Sequence, residues 1–330
     1  MKLSSLSLRA VLLDWGFVLV LCAIFVFFSL ATAHFLEFGN MIAMLHTMAS
    51  VVIISCGMAM VVMTGNLDIS LGSIAFLSSS IGVLLMTRLG WNPVAAFSVT
   101  LLCGVAFGML NGFIVVVLGI NPLITTLGTM ITLRGVGLEL TQASVIPLPE
   151  GVRVLGNLAI GPIFVDILVM AAVLIAVHVL HRRTSFGRQI NAIGNGAEVA
   201  ARIGLPVGRL VFLDFVLAGF LASIGGIVAL LQVGSLSAYL GAGLEFTAVA
   251  VVVVGGVSLF GGRGSIIPGV LLGALTFQLI VNGLTQMSAN PYVYKLITGL
   301  VIFLAMYVDA LKVGRIHAPP AAEAVEDEPA

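Results

Sequence analysis

Charge is what this chain has least of. Lys, Arg, Asp and Glu together make up 8% of its 330 residues, where a soluble domain carries roughly 25%. That scarcity excludes an ordinary soluble fold. The few charges also cancel, 14 basic against 14 acidic, so nothing suggests a nucleic-acid partner. Cysteine is nearly missing: Cys22, Cys56 and Cys103 stand far apart inside apolar segments, which leaves no disulfide framework and no metal-ligand spacing. The five histidines are scattered and form no cluster. The three lysines follow Met1, Tyr294 and Leu311, never the glycine that a phosphate loop of the GK[ST] type requires. No catalytic residue is therefore assigned, and any ATP must be hydrolysed by another chain.

What remains is 60% hydrophobic, and most of it belongs in a bilayer as one all-α, polytopic domain. A span needs about 20 apolar residues, and on that template ten are predicted: 15–33, 41–63, 72–89, 94–118, 122–141, 162–180, 210–232, 244–260, 265–287 and 292–309. The start of the chain imitates a secretory signal, with Lys2 and Arg9, an apolar run from Trp15, and Ala31-Thr32-Ala33 as a cleavage site. Asp14 interrupts the basic flank, and the apolar run is longer than a usual signal core, so it reads as an uncleaved first span. With both termini inside, Lys2, Arg9, Arg182, Arg183, Arg188, Arg202, Arg209, Arg263, Lys312 and Arg315 all fall on the cytoplasmic side, ten of the fourteen basic residues. Residues 1–14 form the cytoplasmic N-terminus, 15–309 the transmembrane domain and 310–330 a cytoplasmic tail. That tail ends in a Pro/Ala-rich acidic stretch expected to be disordered.

Ten spans divide into two sets of five, and an odd number inverts the second set. Asn111-Gly112 before Asn121-Pro122 is echoed by Asn282-Gly283 before Asn290-Pro291. Chance similarity accounts for so short a match equally well.

Four features carry possible function. Thr64 to Gly72 breaks two apolar runs, and Asp68 or Ser70 is placed to cap the helix that follows. The segment is either a surface turn with a cap or a broken helix reaching a polar pathway. Gly104, Gly108 and Gly112 recur at every fourth residue, as do Gly269 and Gly273, a spacing that lets helices approach closely in lipid. Arg134 lies twelve residues past Pro122, about 18 Å along a helix. At that depth it faces a cavity or pairs structurally, with backbone carbonyls or Glu139. The fourth feature is the long hydrophilic stretch 181–209, with five arginines and one glutamate. Within it Asn195 and Glu198 read as a capping box for a helix from Gly196 to Ile203. Gly204 closes that helix in a left-handed conformation, and Pro206 prevents its continuation. Val199, Ala200 and Ile203 share one face, suited to a cleft on another protein or to lying flat on the membrane.

Taken in order, these blocks resemble the ribose-type permeases of ABC importers. The resemblance rests on Thr64–Gly72, Asn111-Gly112, Asn121 to Met130 with Arg134-Gly135, Gly187-Arg188 through Gly204, Gly255 to Ser265, and Asn282-Gly283. It covers nearly the whole chain from the second span. It implies an inner-membrane subunit of a bacterium, paired with a second permease copy or a paralogue. Its further partners would be a cytoplasmic ABC ATPase, which holds the ATP and Mg, and a periplasmic sugar-binding protein that delivers a monosaccharide or similar small polar solute. Gly187, Arg188, Gly194, Asn195, Glu198, Ala200, Ala201 and Gly204 then match the family's ATPase-coupling loop. Asn66, Asp68, Ser70, Asn111, Thr126, Arg134 and Asn282 are the candidates for the pathway or its helix breaks. Members of the family usually carry a second glycine where this chain has Asn66.

Two other classes compete. An ion-coupled secondary transporter would want ionisable residues deep in the bundle; apart from Arg134 and Glu139 the sequence suggests none, with Asp166, Asp214, Glu245 and Asp309 all read as lying near span ends. An intramembrane enzyme would want paired carboxylates, a Ser–His pair or a metal cluster, and none is visible.

Overall fold

The structure, a computed structural model, describes residues 8–290 together with 292, 293, 296, 297, 299, 300, 303, 304, 306 and 307. Of the predicted tenth span, residues 294, 295, 298, 301, 302, 305, 308 and 309 lie outside the described residues, as do residues 1–7 and the tail 310–330.

Helices dominate. They are α1 (Leu8–Ala31), α2 (Phe38–Met63), α3 (Leu71–Leu89), α4 (Pro93–Val116), α5 (Pro122–Thr141) and the single turn α6 (Glu150–Arg153). The rest are α7 (Val165–Arg183), α8 (Ser185–Asn195), α9 (Ala197–Arg202), α10 (Val207–Val233), α11 (Leu244–Val254) and α12 (Leu271–Gln286). A π turn, Ile266–Val270, leads into α12. Among the described residues seven helices are long and apolar enough to cross a bilayer: α2, α3, α4, α5, α7, α10, and α12 with its leading turn.

Local chemistry sets many of the boundaries. Asn92 accepts a hydrogen bond from the Val94 amide at 2.8 Å, and Asn121 accepts from the Leu123 amide at 2.9 Å. Each is followed by a proline in the first helical turn, where its missing N–H is not needed. At the other ends, Gly90 after α3 and Gly234 after α10 take left-handed backbone, φ 66° and 72°.

The interior consists of α2, α3 and α10, buried over 78%, 72% and 61% of their most apolar windows, while α4, α5 and α7 are buried over 28% or less. The outer helices thus present their other faces to lipid or to a partner. The tightest pairing is α4 on α10. A Cβ added at Gly108 would lie 2.5 Å from the Phe215 carbonyl oxygen and 3.0 Å from the Val216 Cα. Gly104 abuts Gly219 and Ser223, and Gly112 abuts Phe212. In lipid, where packing replaces the hydrophobic drive, such backbone-on-backbone contact holds helices together. Gly269 and Gly273 both rest on the end of α11, against Gly255 and Val251. Gly269 belongs to the π turn, so these two do not repeat the pattern along one regular helix.

Among the described residues four two-residue strands fold the longer connections. β1 (Ile146–Pro147) pairs antiparallel with β4 (Ser235–Leu236), and β2 (Ala159–Ile160) with β3 (Ile163–Phe164).

Several predicted boundaries move. The first helix begins at Leu8 rather than 15 and takes Asp14 inside it. The sixth starts only after the hairpin, at Val165, and continues through His181 to Arg183. The predicted eighth span stops at Val254 instead of 260, because Gly255-Gly256 follows and Gly256 has φ 81°. The stretch 181–209 is not a loop. It is almost wholly helical, formed by the end of α7, then α8, α9 and the start of α10.

Candidate transport site and coupling surface

Thr64 to Ser70 crosses from α2 to α3 without helical structure, opening on Gly65 at φ 80°. Asn66 turns its amide back to Thr64 Oγ1 at 2.7 Å. Asp68 is fully buried. Its Oδ1 accepts from the Ser70 amide at 2.9 Å and the Ser70 hydroxyl at 2.6 Å. The expected cap is therefore absent: Ser70 is the N-cap of α3 but makes no side-chain cap bond, and Asp68 spends its oxygen closing a turn instead. From α4, Asn111 Nδ2 donates to Ser70 Oγ at 2.8 Å and to Asp68 Oδ2 at 3.3 Å. From α5, Thr126 Oγ1 donates to the Leu67 carbonyl at 3.3 Å. Four sequence candidates, Asp68, Ser70, Asn111 and Thr126, thus meet at one helix break.

Asn282 stands elsewhere. It exchanges amide hydrogen bonds with Asn40 at the start of α2, 2.8 Å one way and 3.1 Å the other. Arg134 is separate again. Its Nη1 donates to the Leu240 carbonyl at 2.7 Å, and its guanidinium lies 4.6 Å from the centre of the Phe76 ring. Glu139 instead receives a bond from Gln142.

The region 181–209 docks against helix breaks. Thr184 caps α8, accepting from the Gly187 amide at 3.5 Å, and Gly187 is so close to the His181 backbone that a Cβ would overlap it. Ile190 and Ile193 bury one face of α8, while Arg182, Arg183 and Arg188 stay exposed. At its C-terminus Gly194 touches the Met63 carbonyl and Gly262. The Gly262 amide donates to that same Met63 carbonyl at 2.9 Å. Asn195 Nδ2 donates to the Gly262 carbonyl at 3.2 Å and to Asn191 O at 2.8 Å. The capping box is therefore not formed. Asn195 ends α8, Gly196 precedes α9 with no side-chain cap, and Glu198 pairs with Arg202 at 2.7 Å. The helix runs from Ala197 to Arg202 instead of Gly196 to Ile203. Gly204 follows with φ 87°. Ala200 is buried, Ala201 exposed, and Val199 and Ile203 are 64% and 71% exposed.

Sequence reading missed three things. The amphipathic α8 has its signal in Phe186, Ile190 and Ile193, spaced as one helical face. Asp214 and Glu245, taken as lying near span ends, are buried at 1% and 6% exposure, which removes the shortage of deep charge held against an ion-coupled carrier. A cluster of His46, Asp166 and Gln232 ties α2, α7 and α10 together, with His46 Nδ1 2.8 Å and Gln232 Nε2 2.6 Å from Asp166 Oδ2. Nothing in the spacing of those three residues announces it. Among the described residues no group of three or more His, Cys, Asp or Glu could hold a metal ion.

A buried polar break, an intramembrane arginine and a docked surface helix, all carried on apolar spans, are the parts of a membrane transport component. Residues 40–306 match the family described as branched-chain amino acid transport system / permease component, and the chain belongs to that family. It is a multi-pass permease subunit of the inner membrane. The probable ABC transporter permease YphD of Escherichia coli (strain K12) is 34% identical over 302 residues, 90% of this chain and 89% of its own. The ribose import permease RbsC of the same strain is 31% identical over 310 residues, covering 92% and 96%. Its galactose/methyl galactoside import permease MglC is 32% identical over 321 residues, covering 90% and 93%. No solved structure matches the chain.

Proposed function

We propose that this permease forms the translocation path for a monosaccharide or similar small polar solute in an ATP-driven importer. A periplasmic binding protein delivers the solute, and a cytoplasmic ABC ATPase, holding ATP and Mg, supplies the energy. A second permease copy or a paralogue completes the membrane unit. The observation that carries the reading is end-to-end similarity to permeases named for ribose and galactose import. The family description names branched-chain amino acids, but those sugar permeases match over nine-tenths of the chain.

In this reading α8 and α9 are the coupling element. Exposed Val199 and Ile203 meet the ATPase, and Gly194 with Asn195 passes displacement to the breaks at Met63 and Gly262. The chain crosses the membrane ten times, both termini inside. The inverted repeat draws support from the two asparagines: Asn111 bonds the break just past the end of α2, and Asn282 bonds Asn40 at its start. Co-purification of tagged permease tests the assembly, since a self-sufficient carrier would run without an ATPase. Arg188→Cys tests the topology. An impermeant thiol reagent added to intact cells is expected to leave it unlabelled, and labelling there would overturn the orientation.

A further inference from the structure

Arg134 and Glu245 belong neither to the helix break, nor to the coupling surface, nor to the His46–Asp166–Gln232 cluster. α11 has 11 residues, about 16 Å, roughly half of a 30 Å hydrocarbon core. A helix that short cannot cross the core, and residues 237–243 link it to strand β4. Arg134, about 18 Å along α5, meets this segment by donating to the Leu240 carbonyl at 2.7 Å. Glu245, in the first turn of α11, accepts from the Gly243 amide through Oε1 at 3.3 Å. Its Oε2 has no hydrogen-bond partner, although the residue is 6% exposed. From the opposite break, Gly72 of α3 brings its backbone against both Glu245 and Gly241.

A buried carboxylate with an unused oxygen and a half-buried guanidinium, held by one carbonyl and the Phe76 ring, are expensive in a membrane and mark a working site. Their present partners have a definite chemistry. Arg134 holds an acceptor and Glu245 holds a donor, both supplied by one short backbone segment. A sugar or polyol hydroxyl offers both roles at once. We propose that Arg134 and Glu245 form a mid-membrane subsite for the hydroxyls of a polyhydroxylated solute, occluded in this state by the backbone of residues 237–243. That segment withdraws for the solute to pass. This rests on the importer reading above and adds which residues touch the cargo.

The test uses the full complex, permease with its ATPase and binding protein, in proteoliposomes with radiolabelled ribose and galactose. Glu245→Gln keeps the shape but loses the charge. Sugar uptake per ATP hydrolysed is expected to fall about 10-fold or more, as for a lost charged hydrogen bond, with complex yield and thermal stability unchanged and partial rescue by Glu245→Asp. Wild-type uptake in Glu245→Gln overturns the subsite. So does a parallel fall in uptake, yield and stability, which would make the pair a structural staple. A second arm needs no knowledge of the cargo. Leu240→Cys, in a chain whose native cysteines are replaced, is buried in this state. Its labelling by a small methanethiosulfonate is expected to accelerate about 10-fold or more during ATP turnover, as the segment opens. Unchanged labelling overturns the proposal. If the wild type takes up neither sugar, the cargo reading fails, and the labelling arm alone decides the subsite.

Discussion

Gly108→Ala puts a single methyl group where α4 and α10 touch. It would sit 2.5 Å from the Phe215 carbonyl oxygen and 3.0 Å from the Val216 Cα, whereas comfortable carbon contacts lie near 3.5–4.0 Å. Both obstacles are backbone, so no rotamer change relieves them and the helices must part by about 1 Å. Overpacking of this kind costs about 1–3 kcal/mol, partly offset by the roughly 1 kcal/mol alanine gains over glycine in a helix. Gly128→Ala on α5 is the control, because nothing lies within 4 Å of its added Cβ and only the propensity gain should appear. The two variants are expected to differ by about 1–3 kcal/mol, read from SDS-unfolding midpoints of the purified permease. Gly108→Leu, which crowds the same spot with more atoms, should fail to assemble. Equal midpoints for Gly108→Ala and Gly128→Ala would refute the close approach of these helices.

Three further outcomes are expected. Gly204→Val strains a backbone at φ 87° by about 1–3 kcal/mol. The variant should insert normally yet lose ATPase co-purification and uptake, and wild-type complex yield would remove α9 from the coupling path. Glu198→Ala removes only an exposed pair with Arg202, about 0.3–0.5 kcal/mol, so its complex yield should match wild type; a large loss would show that Glu198 itself meets the partner. Asn111→Leu strips Asp68 and Ser70 of their shared donor, leaving buried polar groups unpaired at about 1–3 kcal/mol. It should lower thermal stability more than Asn66→Ala, whose amide reaches only Thr64; the reverse order would refute the network.

The lengths of the apolar runs located the seven long spans within a few residues, because span length is set by bilayer thickness and little else, but missed the start of α1 and the end of α11. Glycines were legible for a similar reason: a residue without a side chain at every fourth position has few uses except close approach. Polar partners were not legible. Asn195 and Glu198 have the spacing of a capping box, yet Asn195 finds the Gly262 carbonyl, 67 residues away, and a distant acceptor competes with local capping in a way no local pattern reveals. Glu245 misled for a different reason. It lies near the start of an apolar run, and the packing of Gly72 of α3 against it, a tertiary contact, turns that position into a buried one. Arg134 stood out as a charge well inside an apolar run, but its acceptor, the carbonyl of Leu240, carries no side-chain signature at all.

The end of α8 has a mechanical consequence. Gly194 bears on the Met63 carbonyl, and that carbonyl also receives the Gly262 amide. Two breaks from distant parts of the chain therefore hang on a single peptide group, within reach of one helix tip. A push on α8 cannot be delivered to one of them and withheld from the other. The junction behaves as a yoke with one degree of freedom, so both breaks should shift in the same instant, and intermediates with only one of them displaced should be too short-lived to trap.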